Sequence, residues 1–152
     1  MGKFEYVIEV KAPLEKAFKF IADGTNSPQW HPSIRSAERV SEGPPQLGSK
    51  LRVGAVVGHR EYSWEQEVVE WVPNKSFRDR MVAGPFKKFE DWAEFQKTET
   101  GTKWAFGLEY ELPGTIGRVL DLFIRKRVRQ HHLEAMRRAK EILESQRSAR
   151  HR

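Results

Sequence analysis

Residues 102–146 read TKWAFGLEYELPGTIGRVLDLFIRKRVRQHHLEAMRRAKEILESQ, and their pattern changes once, at Pro113-Gly114. Before that pair, Trp104, Phe106, Leu108, Tyr110 and Leu112 fall on one side and Lys103, Ala105, Gly107, Glu109 and Glu111 on the other. A period of two with one large apolar side is the mark of a strand with one buried face. After the pair there is no Gly except Gly117 and no Pro, and Arg, Leu, Lys and Glu, all good helix formers, dominate. Ile116, Val119, Leu120, Phe123, Val128, Met136, Ala139 and Leu143 recur at spacings of mostly three and four, interrupted around Arg127 to His132. That spacing predicts one amphipathic helix over about 116–146, with the stripe turned toward the core. At 1.5 Å per residue such a helix is roughly 45 Å long, enough to cross a domain.

Working back from this strand, alternation persists between Pro/Gly breaks at Gly43-Pro44-Pro45, Gly58, Pro73-Asn74, Gly84-Pro85 and Thr100-Gly101. The segments between them predict strands near 35–42, 49–57, 60–72, 76–83 and 87–97. The chain opens with another alternating run, Phe4, Tyr6, Ile8 and Val10 against Glu5, Val7 and Glu9. Pro13 then suits a helix start, followed by Leu14, Ala17, Phe18 and Ile21 at helical spacing, and Gly24 ends that helix. Ser27-Pro28 repeats the signal and predicts a very short helical turn through Gln29-Trp30-His31. Strands joined by short turns make an antiparallel meander, whose single apolar face the long helix must cover.

The 152 residues suit one domain, expected over 1–147, with 148–152 a frayed basic tail. The absence of cysteine excludes disulfides and thiol chemistry. No apolar run approaches a bilayer span and no signal-peptide core precedes the first strand, so a cytoplasmic location is expected. The net charge of +6 belongs to the C-terminal segment, where residues 113–152 hold 11 Lys/Arg against 4 Asp/Glu. Such a helix could make weak contact with an anionic surface, and the competing reading is a solvated face that aids solubility. Specific nucleic-acid recognition is not expected, because neither a motif nor stacking aromatics accompany the charge.

In this order the sequence resembles the START-like (SRPBCC) superfamily of helix-grip domains, and within it bacterial proteins labelled polyketide cyclase/dehydrase or lipid transport. The resemblance rests on Ile8-Glu9-Val10-Lys11-Ala12-Pro13, on Ala17-Phe18-Lys19-Phe20-Ile21-Ala22-Asp23 and on Trp30-His31-Pro32. It continues through Leu47-Gly48-Ser49, Val69-Glu70-Trp71-Val72-Pro73, Gly101-Thr102-Lys103 and Tyr110-Glu111-Leu112-Pro113-Gly114. It implies an α+β fold, a seven-stranded curved antiparallel sheet around the long C-terminal helix, with two short helices after the first strand. It also implies an internal cavity that binds, and in a carrier transports, a lipid, polyketide or aromatic metabolite. The family includes cyclases, so a cyclase/dehydratase using the same cavity is the alternative.

Ligand contacts are expected from the aromatics Trp30, Trp64, Trp104 and Tyr110, with Phe106, Met81 and Phe123 as apolar lining; core packing is the competing role for each. Phe89, Ala93 and Phe95 compete with Trp92 for the inward side of their strand, and Trp71 is assigned to the surface or sheet edge. Gln66, on the face of Tyr62 and Trp64, is read either as orienting a ligand or as bonding a neighbour. Asp79, between Phe77 and Met81, is read as a candidate polar group, with a cross-strand salt bridge to Arg78 or Arg80 as the alternative. No catalytic motif is present: no Ser-His-Asp order, nucleophile elbow, phosphate loop or dinucleotide fingerprint. A cyclase could work without one, by holding a flexible substrate and supplying one acid or base. No cofactor is implied, and no metal, since adjacent His131 and His132 diverge by about 100° on a helix.

Overall fold

The computed structural model describes residues 2–150. Strand β1 (Gly2–Val10) is followed by α1 (Leu14–Ala22), a 3-10 turn (Gly24–Asn26) and α2 (Ser27–Trp30). A meander follows, β2 (Ile34–Arg39), β3 (Lys50–Val57), β4 (Arg60–Val72), β5 (Ser76–Ala83), β6 (Lys88–Lys97) and β7 (Thr102–Glu111), and then α3 (Gly114–Arg150). All seven strands form one curled antiparallel sheet in the order β1-β7-β6-β5-β4-β3-β2. This is the helix-grip fold expected from the sequence.

Local chemistry accounts for the boundaries. Pro13 sits just before α1, where its fixed φ of −59° and its carbonyl, which accepts from the Ala17 N–H at 3.0 Å, start the helix. Pro28 lies in the first turn of α2, and His31 caps the end of that helix. Helix α3 runs on to Arg150, into the segment expected to fray, because neither Gly nor Pro interrupts it after Gly117. His151 and Arg152 lie outside the described residues.

Two expectations about facing are corrected. A bulge in β4 between Val68 and Glu70 shifts the alternation by one residue, so Trp71 pairs with Phe77 on the inner face instead of lying at the surface. There its ring meets Phe18 of α1 edge-on at 5.1 Å. The second correction concerns α3. Ile116, Val119 and Phe123, predicted to face inward, are 83%, 51% and 78% exposed. The buried line is Gly117, Asp121, His132, Ala135, Met136, Ala139 and Leu143. Three fixed contacts impose this phase. A Cβ on Gly117 would meet the Leu112 carbonyl carbon at 2.8 Å, so the helix enters with that residue against the strand end. Asp121 accepts a hydrogen bond from the Tyr110 hydroxyl at 2.6 Å, and His132 donates from Nε2 to the Phe106 carbonyl at 2.9 Å.

The packed core joins β1, α1, Trp30, the inner faces of β6 and β7 and the C-terminal half of α3. Trp104, fully buried, is ringed by Trp30 (5.9 Å), Phe95 (6.5 Å) and Phe106 (5.4 Å). Trp92 faces the other way, lying over Gly107 on the outer face, where its indole N–H donates to Glu5 at 2.5 Å and Arg78 stands 4.7 Å above its ring. In denaturant unfolding, Trp104→Ala is expected to cost about 3–5 kcal/mol. Phe123→Ala, which removes an outward ring, is expected to cost less than about 0.5 kcal/mol.

Candidate functional site

Between this core and a smaller cluster of Val53, Ala55 and Trp64 the sheet and helices do not meet. The gap is a cavity with about 110 Å³ open to the centres of water molecules, where one water needs about 10–15 Å³. Its floor is the inner face of β3 to β7, including Val53, Tyr62, Trp64, Phe77, Phe89 and Leu108; Phe86, between β5 and β6, adds to the wall. Its roof is Trp30 and His31 with Ile124, Val128, His131 and His132 of α3. Tyr62, Trp64, Phe86 and Phe89 pack ring on ring at 4.9–5.6 Å, giving an aromatic wall.

Of the residues singled out in the sequence, Trp30, Trp64, Gln66, Asp79, Phe106 and Tyr110 line this space. Trp104 lies behind it, sealed in the core; Met81 packs against the Trp64 cluster without lining the cavity; Phe123 points away from it. Gln66 does bond a neighbour, its carbonyl accepting from the Trp64 indole N–H at 2.8 Å. The Tyr110 hydroxyl is held by Asp121, whose other oxygen is gripped by Arg125 at 2.5 Å. Burial, then the hydrogen bond to Asp121 and the charge of that carboxylate, push the phenol well above its usual range, and the bond makes Tyr110 a latch between β7 and α3.

Asp79 forms no salt bridge with its sequence neighbours. Arg78 and Arg80 project from the opposite face of β5 and both pair with Glu90, at 3.3 and 2.5 Å. The register instead sets Asp79 directly opposite Asp91 on β6, carboxyl to carboxyl, inside the cavity. Both residues are half-buried and line that cavity, and Asp79 also borders a smaller pocket beside Leu51 and Val68. Burial, then the charge of Asp91 and the hydrogen bond to it, raises Asp79 well above its usual range, so Asp79 favours its neutral form and the two carboxyls titrate as a pair. Asp91 is raised to about 6, chiefly by burial, with the Asp79 hydrogen bond acting in the opposite direction. Its Oδ1 is buried with no hydrogen-bond partner among the described residues.

Three histidines stand in the roof, and all are held neutral. His31 is depressed to about 3 by burial and then by His132, His131 and Arg138. The Ser33 N–H donates to its Nδ1 at 3.3 Å, which assigns the ring proton to Nε2. His132, stacked on Phe106 at 4.3 Å, is depressed to about 4 by burial. His131 is lowered for the same reason, and its buried Nδ1 has no partner among the described residues. Among those residues no group of His, Asp or Glu is arranged to hold a metal ion.

Asp91 was legible as an inward residue, since it alternates with Phe89, Ala93 and Phe95, but its pairing with Asp79 depends on register. Sequence reasoning considers His131 and His132 only as chelators and so misses their place in the roof. They line it because α3 is rotated away from its apolar stripe.

Solved structures of the same architecture are numerous. TTHA0849 from Thermus thermophilus superposes with a TM-score of 0.81 at 20% identity, over 95% of this chain and 98% of that one. A START superfamily protein from Mycobacterium smegmatis gives 0.76 at 18%, over 94% and 97%. The Zhui aromatase/cyclase from Streptomyces sp. R1128 gives 0.79 at 13%, over 94% and 93%. At these identities the likeness is one of fold. No curated protein matches the sequence. The family described as polyketide cyclase / dehydrase and lipid transport matches residues 1–144, nearly the whole chain with its sheet, its cavity and most of α3, and to that family this protein belongs.

Proposed function

We propose that the protein binds an apolar or amphipathic small molecule carrying a hydroxyl group, of the lipid, polyketide or aromatic class, and that binding or transport is its role. The observation that carries this reading is the pairing of an aromatic-walled cavity with two carboxyl groups, Asp79 and Asp91, that stand opposite each other in its lining. Apolar walls supply affinity and few placed polar groups supply orientation. A ligand hydroxyl donating to Asp91 would add a charge-assisted hydrogen bond to the pair. Trp30, Trp64 and Phe106 would contact the apolar body, with Gln66 and Asp79 near the polar end.

A second reading is favoured by the same two carboxyl groups. Asp79 protonated beside Asp91 ionised is an acid next to a base, set apart by environment. In an aldol-type ring closure Asp91 would take the α-proton of a substrate and Asp79 would protonate the carbonyl oxygen under attack, as a cyclase requires. Such turnover would rise with pH through about 6 as Asp91 ionises. Asp91→Asn would lower it at least about a hundredfold.

Fluorescence titration with 2-naphthol and with naphthalene tests the binding reading, because the two probes differ by one hydroxyl. The naphthol should bind about tenfold or more tightly, and Asp91→Leu should abolish that preference while both rings still bind. Failure of both rings to bind would reject the cavity as a ligand site, and equal affinities would reject Asp91 as its polar contact.

Stability offers an independent readout. Free aspartate titrates near 3.9 and Asp91 at about 6, so the folded state binds more protons than the unfolded state between these values. Asp91 therefore contributes a loss of stability as pH rises from about 4 to 6, on the order of 3 kcal/mol. The depressed His31 and His132 oppose it in the same window, because their unfolded forms bind the more protons there. Asp91→Asn should remove the Asp91 contribution, making the change of stability with pH across the window more positive than in the unaltered protein, as measured by urea unfolding.

A further inference from the structure

The N-terminal half of α3 is apolar on two sides. Ile124 and Val128 face the cavity, while Ile116, Val119, Leu122 and Phe123 stand 83%, 51%, 72% and 78% exposed. A helix facing water normally carries polar groups on its outer side. At about 100° per residue these four outward side chains fall within one sector of roughly 120°, and Leu133, 42% exposed, extends it. From Ile116 to Leu133 the strip is about 25 Å long.

Its charges are of one sign. Between residues 113 and 133 Arg118, Arg125, Lys126, Arg127 and Arg129 face a single carboxylate, Asp121, which is buried. Lys126 lies within the apolar sector, Arg118 and Arg129 border one edge and Arg127 the other. Arg125 is tied to Asp121 and Arg129 lies over the Phe4 ring at 6.0 Å. Arg118, Lys126 and Arg127 have no carboxylate partner among the described residues.

We infer that this outer face of α3 docks the protein onto an anionic lipid bilayer, with Ile116, Val119, Leu122 and Phe123 entering the headgroup boundary and the basic residues meeting lipid phosphates. An apolar strip edged by Lys and Arg on an otherwise water-facing helix matches an interfacial helix lying in the membrane plane. Charge argues against a second copy as the occupant, because a two-fold pairing of this face would set its cations against their own images. Nucleic acid is disfavoured because the strip is aliphatic apart from Phe123 and offers no row of stacking rings. The inference rests on the outer face of the helix and is independent of what the cavity holds.

Flotation of the full chain with vesicles of phosphatidylcholine alone, and of phosphatidylcholine with about one-third phosphatidylglycerol, tests it. Binding to the anionic vesicles only, weakening as salt is raised, is expected. Lys126→Glu with Arg129→Glu should reduce that binding at least about tenfold. Leu122→Asp with Phe123→Asp should abolish it. All four side chains project from the outer side of α3, and a melting curve checks each variant; if the apolar pair misfolds, the charge pair carries the test. Absence of binding, equal binding to neutral vesicles, or unchanged binding by both variants would overturn the inference. So would concentration-dependent dimerisation lost in Leu122→Asp with Phe123→Asp without any vesicle binding, which would assign the strip to a second copy.

Discussion

Two hydrogen bonds between the sheet and α3, Tyr110 to Asp121 and His132 to the Phe106 carbonyl, fix the rotation of the long helix about its own axis. They lie three turns apart on one face, so both are met at the same rotation. Turning the helix by one residue would swing the Asp121 carboxylate off Tyr110 and strand the Phe106 carbonyl, each a buried polar group left unmet. The apolar stripe of Ile116, Val119 and Phe123 favours another rotation, and it loses. The cost of unmet polar groups exceeds the gain from burying a few side chains that the cavity would not have packed tightly.

The hollow follows from how the large residues are shared out. Trp30, Phe95, Trp104 and Phe106 concentrate at one end of the sheet with the small residues Ala135 and Ala139, which let α3 approach closely. Toward its N-terminus the helix presents Ile124 and Val128 instead, across from Tyr62, Trp64 and Phe89, and the two surfaces enclose space. A carboxyl pair survives in that space because one proton serves two groups. With a proton shared between them, the pair buries one charge in place of two.

Strand positions, the three helices and their order were legible because turn residues and alternation mark them locally. What escaped the sequence is information carried between elements. The bulge at Val69 leaves no local mark, so Trp71 read as a surface residue although it packs on Phe18. Asp79 and Asp91 each lie on an inward face in the alternation, yet their opposition exists only in the β5–β6 register. The roof histidines and the outward Phe123 follow from the rotation of α3, which hydrophobic spacing alone misassigns when polar anchors decide it. The site was therefore legible as a sheet face and not as a set of partners.

Helix α3 is continuous in its backbone and divided in its support. From His132 onward it is embedded in the core through Ala135, Met136, Ala139 and Leu143; before His131 it bridges a void and is held mainly by the Asp121 latch at its first turns. Local opening free energy tracks buried contact, so the two halves belong to different cooperative units. Amide protons of residues 118–130 would exchange through openings that leave the sheet intact, while those of residues 135–143 would wait for global unfolding. The interior is thereby reachable without dismantling the fold, on a timescale set by one half-helix.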